Sequence, residues 1–132
     1  MSLRVKRVLI VDDDAAVLLG LPAVLESPAV QVATAASLLE ARELLETQSV
    51  DLVITDLRLR GRTDTDGMEL ISWIKERYPE TEVALITGLG SGELRDEALR
   101  RGAAAYWEKS ISMPELVAQV NALGIPAGSA GG

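Results

Sequence analysis

Five short apolar runs punctuate the chain at intervals too long for hairpins, and that spacing constrains the fold more than any single residue. They are Val8-Leu9-Ile10-Val11, Val30-Gln31-Val32-Ala33, Leu52-Val53-Ile54-Thr55, Val83-Ala84-Leu85-Ile86 and Ala103-Ala104-Ala105-Tyr106-Trp107. Successive runs begin 22, 22, 31 and 20 residues apart. Antiparallel neighbours can be joined by a tight turn, whereas a parallel pair needs a crossover of about a dozen residues or more. Three of the runs are nearly continuous in Val, Ile and Leu, the pattern of strands covered on both faces. Each gap holds one crossover helix.

Helix signals fill the gaps. Asp14 is placed to cap a helix holding Val17, Leu18, Leu21, Val24 and Leu25, with Gly20 and Pro22 inside it as weak points. Ser37-Leu38-Leu39-Glu40 and Ser112-Met113-Pro114-Glu115 read as capping boxes. Asp66-Gly67-Met68-Glu69 opens a third helix that Pro79 stops, and Ser91 caps a fourth that Gly102 ends. The chain therefore predicts an α/β fold, a doubly wound (βα)₅ sandwich with a five-stranded parallel sheet and helices on both faces. Its 132 residues suit one domain, expected over 1–124, with 125–132 as a flexible tail or truncated linker.

In an open parallel sheet, ligands bind beyond the carboxyl ends of the strands. Strand one ends in Asp12-Asp13-Asp14, strand three in Asp56, strand four in Thr87-Gly88 and strand five in Lys109-Ser110. One crevice thus collects carboxylates, a hydroxyl and an ammonium. The chain contains no Cys and no His, which excludes thiolate and imidazole chemistry and leaves any metal to oxygen ligands. Mg²⁺ fits this set, with Mn²⁺ as an alternative. A carboxylate beside such an ion can attack phosphorus, and Lys109 and Thr87 are the groups to stabilise the developing charge. The formal net charge of −7 argues against binding nucleic acid through this domain alone. No stretch approaches the ~20 apolar residues of a membrane span, and a cytoplasmic protein is expected.

These residues resemble the receiver domain of bacterial two-component response regulators, a flavodoxin-like family, from about Val8 to Leu123. The carrying motifs are Val8-Leu9-Ile10-Val11-Asp12-Asp13-Asp14, Asp51-Leu52-Val53-Ile54-Thr55-Asp56-Leu57, Gly67-Met68-Glu69-Leu70, Ala84-Leu85-Ile86-Thr87-Gly88 and Gly102-Ala103-Ala104-Ala105-Tyr106-Trp107-Glu108-Lys109. The resemblance implies that Asp56 is the phospho-acceptor. Asp13, Asp56 and the backbone carbonyl of Arg58 would ligate Mg²⁺ directly, with Asp12 acting mostly through water. It implies that Thr87 and Lys109 bind phosphoryl oxygens and that Tyr106 moves with Thr87 as the switch. A histidine kinase or phosphotransfer protein would be the donor. An effector domain or a second copy would meet the helix carrying Leu94 to Leu99, the fifth strand and the last helix. Self-catalysed phosphoryl acceptance and loss is implied, rather than turnover of a substrate.

The sequence departs from the family pattern in three places. Ser110 follows Lys109 where proline is usual, Arg60 replaces the proline after the acceptor, and the 56–67 loop is about three residues longer than usual in the family. That loop carries Arg58, Arg60 and Arg62 against Asp64 and Asp66. Without cis-proline, the bond before Ser110 is expected to be trans. Two other readings stand beside the main one. Asp12-Asp13-Asp14 contains the Asp-x-Asp of haloacid-dehalogenase-like phosphatases, and a receiver-like interaction module need never be phosphorylated. Substitution of Asp56 against substitution of Asp12 separates them. A dinucleotide-binding domain is disfavoured because the first strand-helix turn lacks its glycines.

Overall fold

Each apolar run becomes a strand, and side-chain alternation along it decides which helices cover which face. The computed structural model describes residues 5–57, 66–88 and 90–128. The elements run β1 (Lys6–Val11), α1 (Ala15–Leu25), β2 (Val30–Ala35), α2 (Leu38–Thr47), β3 (Leu52–Asp56), α3 (Asp66–Arg77), β4 (Glu82–Thr87), α4 (Gly92–Arg100), β5 (Ala105–Glu108) and α5 (Met113–Ala122). The sheet order is β2-β1-β3-β4-β5, with all neighbours parallel.

Val8, Ile10, Leu52, Ile54, Ala84 and Ile86 face α1 and α5, where they meet Leu21, Leu25, Leu116 and Val120. Leu9, Val11, Val53, Val83 and Leu85 face the other way, toward Leu45, Ile71, Ile74 and Ala98 of α2, α3 and α4. Both faces of β1, β3 and β4 are buried, which is why these runs carry almost no polar residues.

The caps fall where the side chains direct. Asp14 accepts from Ala16 N–H at 2.9 Å, Ser37 from Glu40 N–H at 3.1 Å, Ser91 from Leu94 N–H at 3.1 Å and Ser112 from Glu115 N–H at 3.2 Å. The Glu40 carboxylate reaches back to Ala36 N–H, one residue before the cap it was expected to serve. Pro22 does not end α1. The helix runs on to Leu25, and Glu26 N–H bonds to Pro22 O at 2.9 Å.

One strand boundary differs from the apolar run, and the segment after the last helix makes contacts of its own. The fifth strand starts at Ala105 rather than Ala103: Ala103 N–H still closes the end of α4 on Ala98 O, and Ala104 N–H makes the first bond to β4, on Val83 O. The segment after Gly124, expected as a flexible tail or linker, packs against the body over its first four residues. Ile125 and Ala127 are buried among the α1–α5 core, Ser27 Oγ donates to Pro126 O at 2.9 Å, and Gly128 N–H bonds to Leu25 O at 3.1 Å. No described helix is long and apolar enough to cross a membrane.

Candidate functional site

The strand order reverses direction between β1 and β3, so α1 and the helices of the opposite face diverge there and leave a crevice at the carboxyl ends. Register fills it. Val11 pairs with Thr55, Asp56 with Ile86, and Thr87 with Glu108, so Asp12, Asp56, Thr87 and Lys109 emerge along one rim. The ladder continues past the strands: Asp12 N–H bonds to Ala35 O at 3.0 Å and Lys109 N–H to Thr87 O at 2.9 Å.

Asp12 and Asp56 are buried, and Asp13 is half-buried beside them. One carboxylate oxygen from each lies within 4.8 Å of the others. Lys109 Nζ sits between two of them, 2.9 Å from Asp12 Oδ2 and 3.0 Å from Asp56 Oδ2. The remaining Oδ1 atoms are held by the backbone. Asp12 Oδ1 accepts from Asp14 N–H at 2.8 Å, and Asp56 Oδ1 from Leu57 N–H at 2.7 Å. These bonds fix the carboxylates without neutralising them. Burial, helped by the Asp56 charge, raises the Asp12 carboxyl above its ordinary value despite Lys109 and the Asp14 N–H. Burial alone would lower Lys109, but its bonds to Asp12 and Asp56 outweigh that and raise it.

Three carboxylates against one ammonium leave an excess of negative charge in a partly desolvated pocket. An all-oxygen donor set of this kind fits a hard divalent cation. The local chemistry and the donor set agree.

The structure brings together Asp12, Asp13, Asp56 and Lys109, and puts the buried Thr87 at the end of β4, joined to Lys109 through the backbone. Tyr106 lies away from the carboxylates, on the α3–α4 side of β5, where its hydroxyl accepts from Ser91 N–H at 3.0 Å. Asp14 stands apart as the exposed N-cap of α1. Arg58, Arg60, Arg62 and Asp64 lie outside the described residues. The Lys109–Ser110 bond is trans, as expected, since no described peptide bond is cis. Two open grooves, one bordered by Arg7, Ser27 and Gln31 and the other by Asp51, Tyr78 and Thr81, lie at the opposite rim and contain none of these groups.

Sequence reasoning missed Gly67 as a site residue. A Cβ there would collide with the Asp56 carbonyl oxygen and lie 2.8 Å from Leu57 Cα, while Gly67 N–H bonds to Leu57 O at 2.8 Å. Glycine at this point lets α3 begin directly against the backbone that carries Asp56. The glycine inside Asp66-Gly67-Met68, at the start of a helix rather than its end, was the available signal.

Comparison with known proteins agrees with the geometry. Residues 8–121 match the response regulator receiver domain. The chain belongs to that family. It is 35% identical over 111 residues to the response regulator protein PilR of Pseudomonas aeruginosa, covering 84% of this chain and 24% of PilR. It is 33% identical over 110 residues to the alginate biosynthesis transcriptional regulatory protein AlgB of Pseudomonas putida, covering 83% and 24%. The chain thus spans about a quarter of the length of these relatives. Among solved structures, a CheY-like receiver domain protein from Methanospirillum hungatei superposes with a TM-score of 0.81 at 30% identity, over 89% of this chain and 92% of that one. The beryllofluoride-activated NtrC4 receiver domain dimer gives 0.81 at 31%, over 89% and 95%. The receiver domain is thus a signalling component of two-component systems, whose response regulators partner with histidine kinases and whose acidic pockets generally bind Mg²⁺. The phosphatase alternative is not favoured, and Asp14 is already committed to capping α1.

Proposed function

We propose that Asp56 accepts a phosphoryl group from the phosphohistidine of a partner histidine kinase or phosphotransfer protein, and that this modification switches the receiver's output surface. The observation that carries the reading is Lys109 Nζ bridging Asp12 and Asp56 within a cluster of three carboxylates.

An Asp56 carboxylate oxygen forms the new O–P bond as the P–N bond to the donor breaks, and the imidazole nitrogen keeps the electron pair. The nucleophile is a carboxylate, so the transfer needs no general base. The Leu57 N–H fixes the plane of its carboxylate, which supplies orientation before the donor arrives. Lys109, bonded to Asp56, neutralises one phosphoryl oxygen, and the hydroxyl of Thr87, the last residue of β4, binds another. Asp12, Asp13 and Asp56, with the Arg58 carbonyl beyond the described residues, are the groups to hold Mg²⁺ or Mn²⁺. The bound ion supplies positive charge that offsets repulsion between an anionic nucleophile and the phosphoryl group. Hydrolysis of the acyl phosphate by water resets Asp56, so the chain catalyses only its own modification and release.

Phosphorylation moves Thr87, and Tyr106 follows it as the switch. The output face is α4, β5 and α5, open to an effector domain or to a second copy; the related NtrC4 receiver is a dimer. We place the protein in the cytoplasm, where a kinase can reach it.

Incubation with acetyl phosphate and Mg²⁺ followed by intact-mass measurement tests the central claim. The expected result is one phosphoryl group per chain, absent from Asp56→Asn. Modification that persists in Asp56→Asn and disappears in Asp12→Asn would overturn it in favour of the phosphatase-like chemistry.

A further inference from the structure

The connection between β4 and α4 carries a glycine that its own backbone does not require. Among the described residues, positive φ occurs at Gly102, Gly124 and Gly128, and Gly90 is not one of them. Its neighbour does require it. A Cβ on Gly90 would run into the Tyr106 hydroxyl and lie 3.1 Å from Tyr106 Cζ and 2.7 Å from Glu108 Oε2. The same hydroxyl accepts from Ser91 N–H at 3.0 Å, and Ser91 is the N-cap of α4. The tip of the tyrosine therefore rests against residue 90 while holding the first residue of the α4 cap.

The two side chains differ in what they can do about a new Cβ. Glu108 is exposed, and its carboxylate ends a flexible chain that swings clear. Tyr106 is flat and half-buried against the α3–α4 core, so its hydroxyl retreats chiefly by rotating the whole ring about χ1. A collision at residue 90 is thus converted into a change of tyrosine placement rather than a small local adjustment.

We infer that Gly90 is a positioning residue for Tyr106: the missing side chain at residue 90 creates the space in which the ring lies against the β4–α4 connection and bonds to the α4 cap. This rests on the reading of Tyr106 as the switch and names what sets its position. Residue 90 lies between Thr87, at the end of β4, and Ser91, at the start of α4. The spacing of one loop therefore couples the rim of the acidic crevice to the output helix. Any larger residue at 90 displaces the ring and frees the Ser91 N–H.

The test compares Gly90→Ala, Tyr106→Ala and the double variant in the full chain. Amide exchange at Ser91 and the Tyr106 ring resonances are followed by NMR without a phosphodonor. Gly90→Ala is expected to raise Ser91 exchange about three- to tenfold, the ratio carried by one ordinary hydrogen bond, and to shift the Tyr106 ring resonances. Tyr106→Ala is expected to raise it equally, and adding Gly90→Ala to it should have no further effect. Two results would overturn the assignment: unchanged Ser91 exchange in Gly90→Ala, or an equal Gly90→Ala effect when the tyrosine is absent, since that effect would act through the backbone alone. No phosphoryl transfer enters this measurement, so a chain that failed to accept phosphate at Asp56 would still give a clear answer here.

Discussion

Replacing Asp12 by Asn should make the protein more stable without Mg²⁺ and nearly unresponsive to it, and the two effects have one cause. Burial holds the Asp12 carboxyl above its model-peptide value of 3.8. The folded state then keeps its proton to higher pH than the unfolded state does, so stability falls as pH rises through that window and stays reduced above it. Above that window the ionised Asp12 is a net burden on the metal-free fold, and Asn removes it. With Mg²⁺ the sign reverses. At a concentration about 100 times Kd, binding adds about 2.7 kcal/mol. An unfolding entropy of about 2.1 cal/mol/K per residue, over 132 residues, converts this to a rise in Tm of roughly 10 °C. One unit charge 4 Å from another is worth about 4 kcal/mol at an effective dielectric of 20. Losing even part of that for a divalent ion weakens binding on the order of a hundredfold. At the same Mg²⁺ concentration the variant then gains only about 0.4 kcal/mol, or 1 to 2 °C. Thermal unfolding followed by circular dichroism, with and without Mg²⁺, measures both. A variant that keeps the wild-type Mg²⁺ increment, or is less stable than wild type when metal-free at neutral pH, refutes the reasoning.

Gly67→Ala should destabilise the protein by about 2 kcal/mol in urea unfolding, because collision with the Asp56 backbone outweighs the usual gain of alanine in a helix; neutrality would show that α3 can back away freely. Ile125→Ala should cost about 2 to 4 kcal/mol in the same assay, as for other buried large-to-small changes, whereas a mobile tail would show almost none. Lys109→Gln should lower metal-free stability by about 1 kcal/mol once solvent screening of this part-exposed pair is allowed for. The Lys109 contribution is fully present below pH 10.5 and fades as pH climbs through the raised folded value, so wild type and variant should converge in strong alkali.

Apolar spacing alone made the sheet legible. Val8 to Val11, Leu52 to Thr55 and Val83 to Ile86 lie inside the observed strands because a strand buried on both faces admits few other residues. The acidic rim was legible for a related reason: Asp12 and Asp56 end such runs abruptly, and strand ends in a parallel sheet converge in space. Local pattern was a poorer guide where the deciding partner is distant in sequence. Nothing in Ile125-Pro126-Ala127 repeats with helical or strand period, yet Ile125 is buried among residues of α1 and α5 that the chain reaches only after folding.

The glycines carry this argument furthest. Gly67 and Gly90 sit at the starts of α3 and α4, where a sequence reader expects caps and turns, and neither is there for a left-handed φ. At each a neighbour occupies the space a side chain would take: the Asp56 backbone in one case, the Tyr106 hydroxyl in the other. An exclusion of volume leaves no chemical group for a motif to record, so it becomes visible only when the facing side chain is in place. Under the proposed function the carboxylates mark where phosphoryl chemistry occurs, and these two absent side chains set how closely the starts of α3 and α4 approach the backbone of Asp56 and the ring of Tyr106.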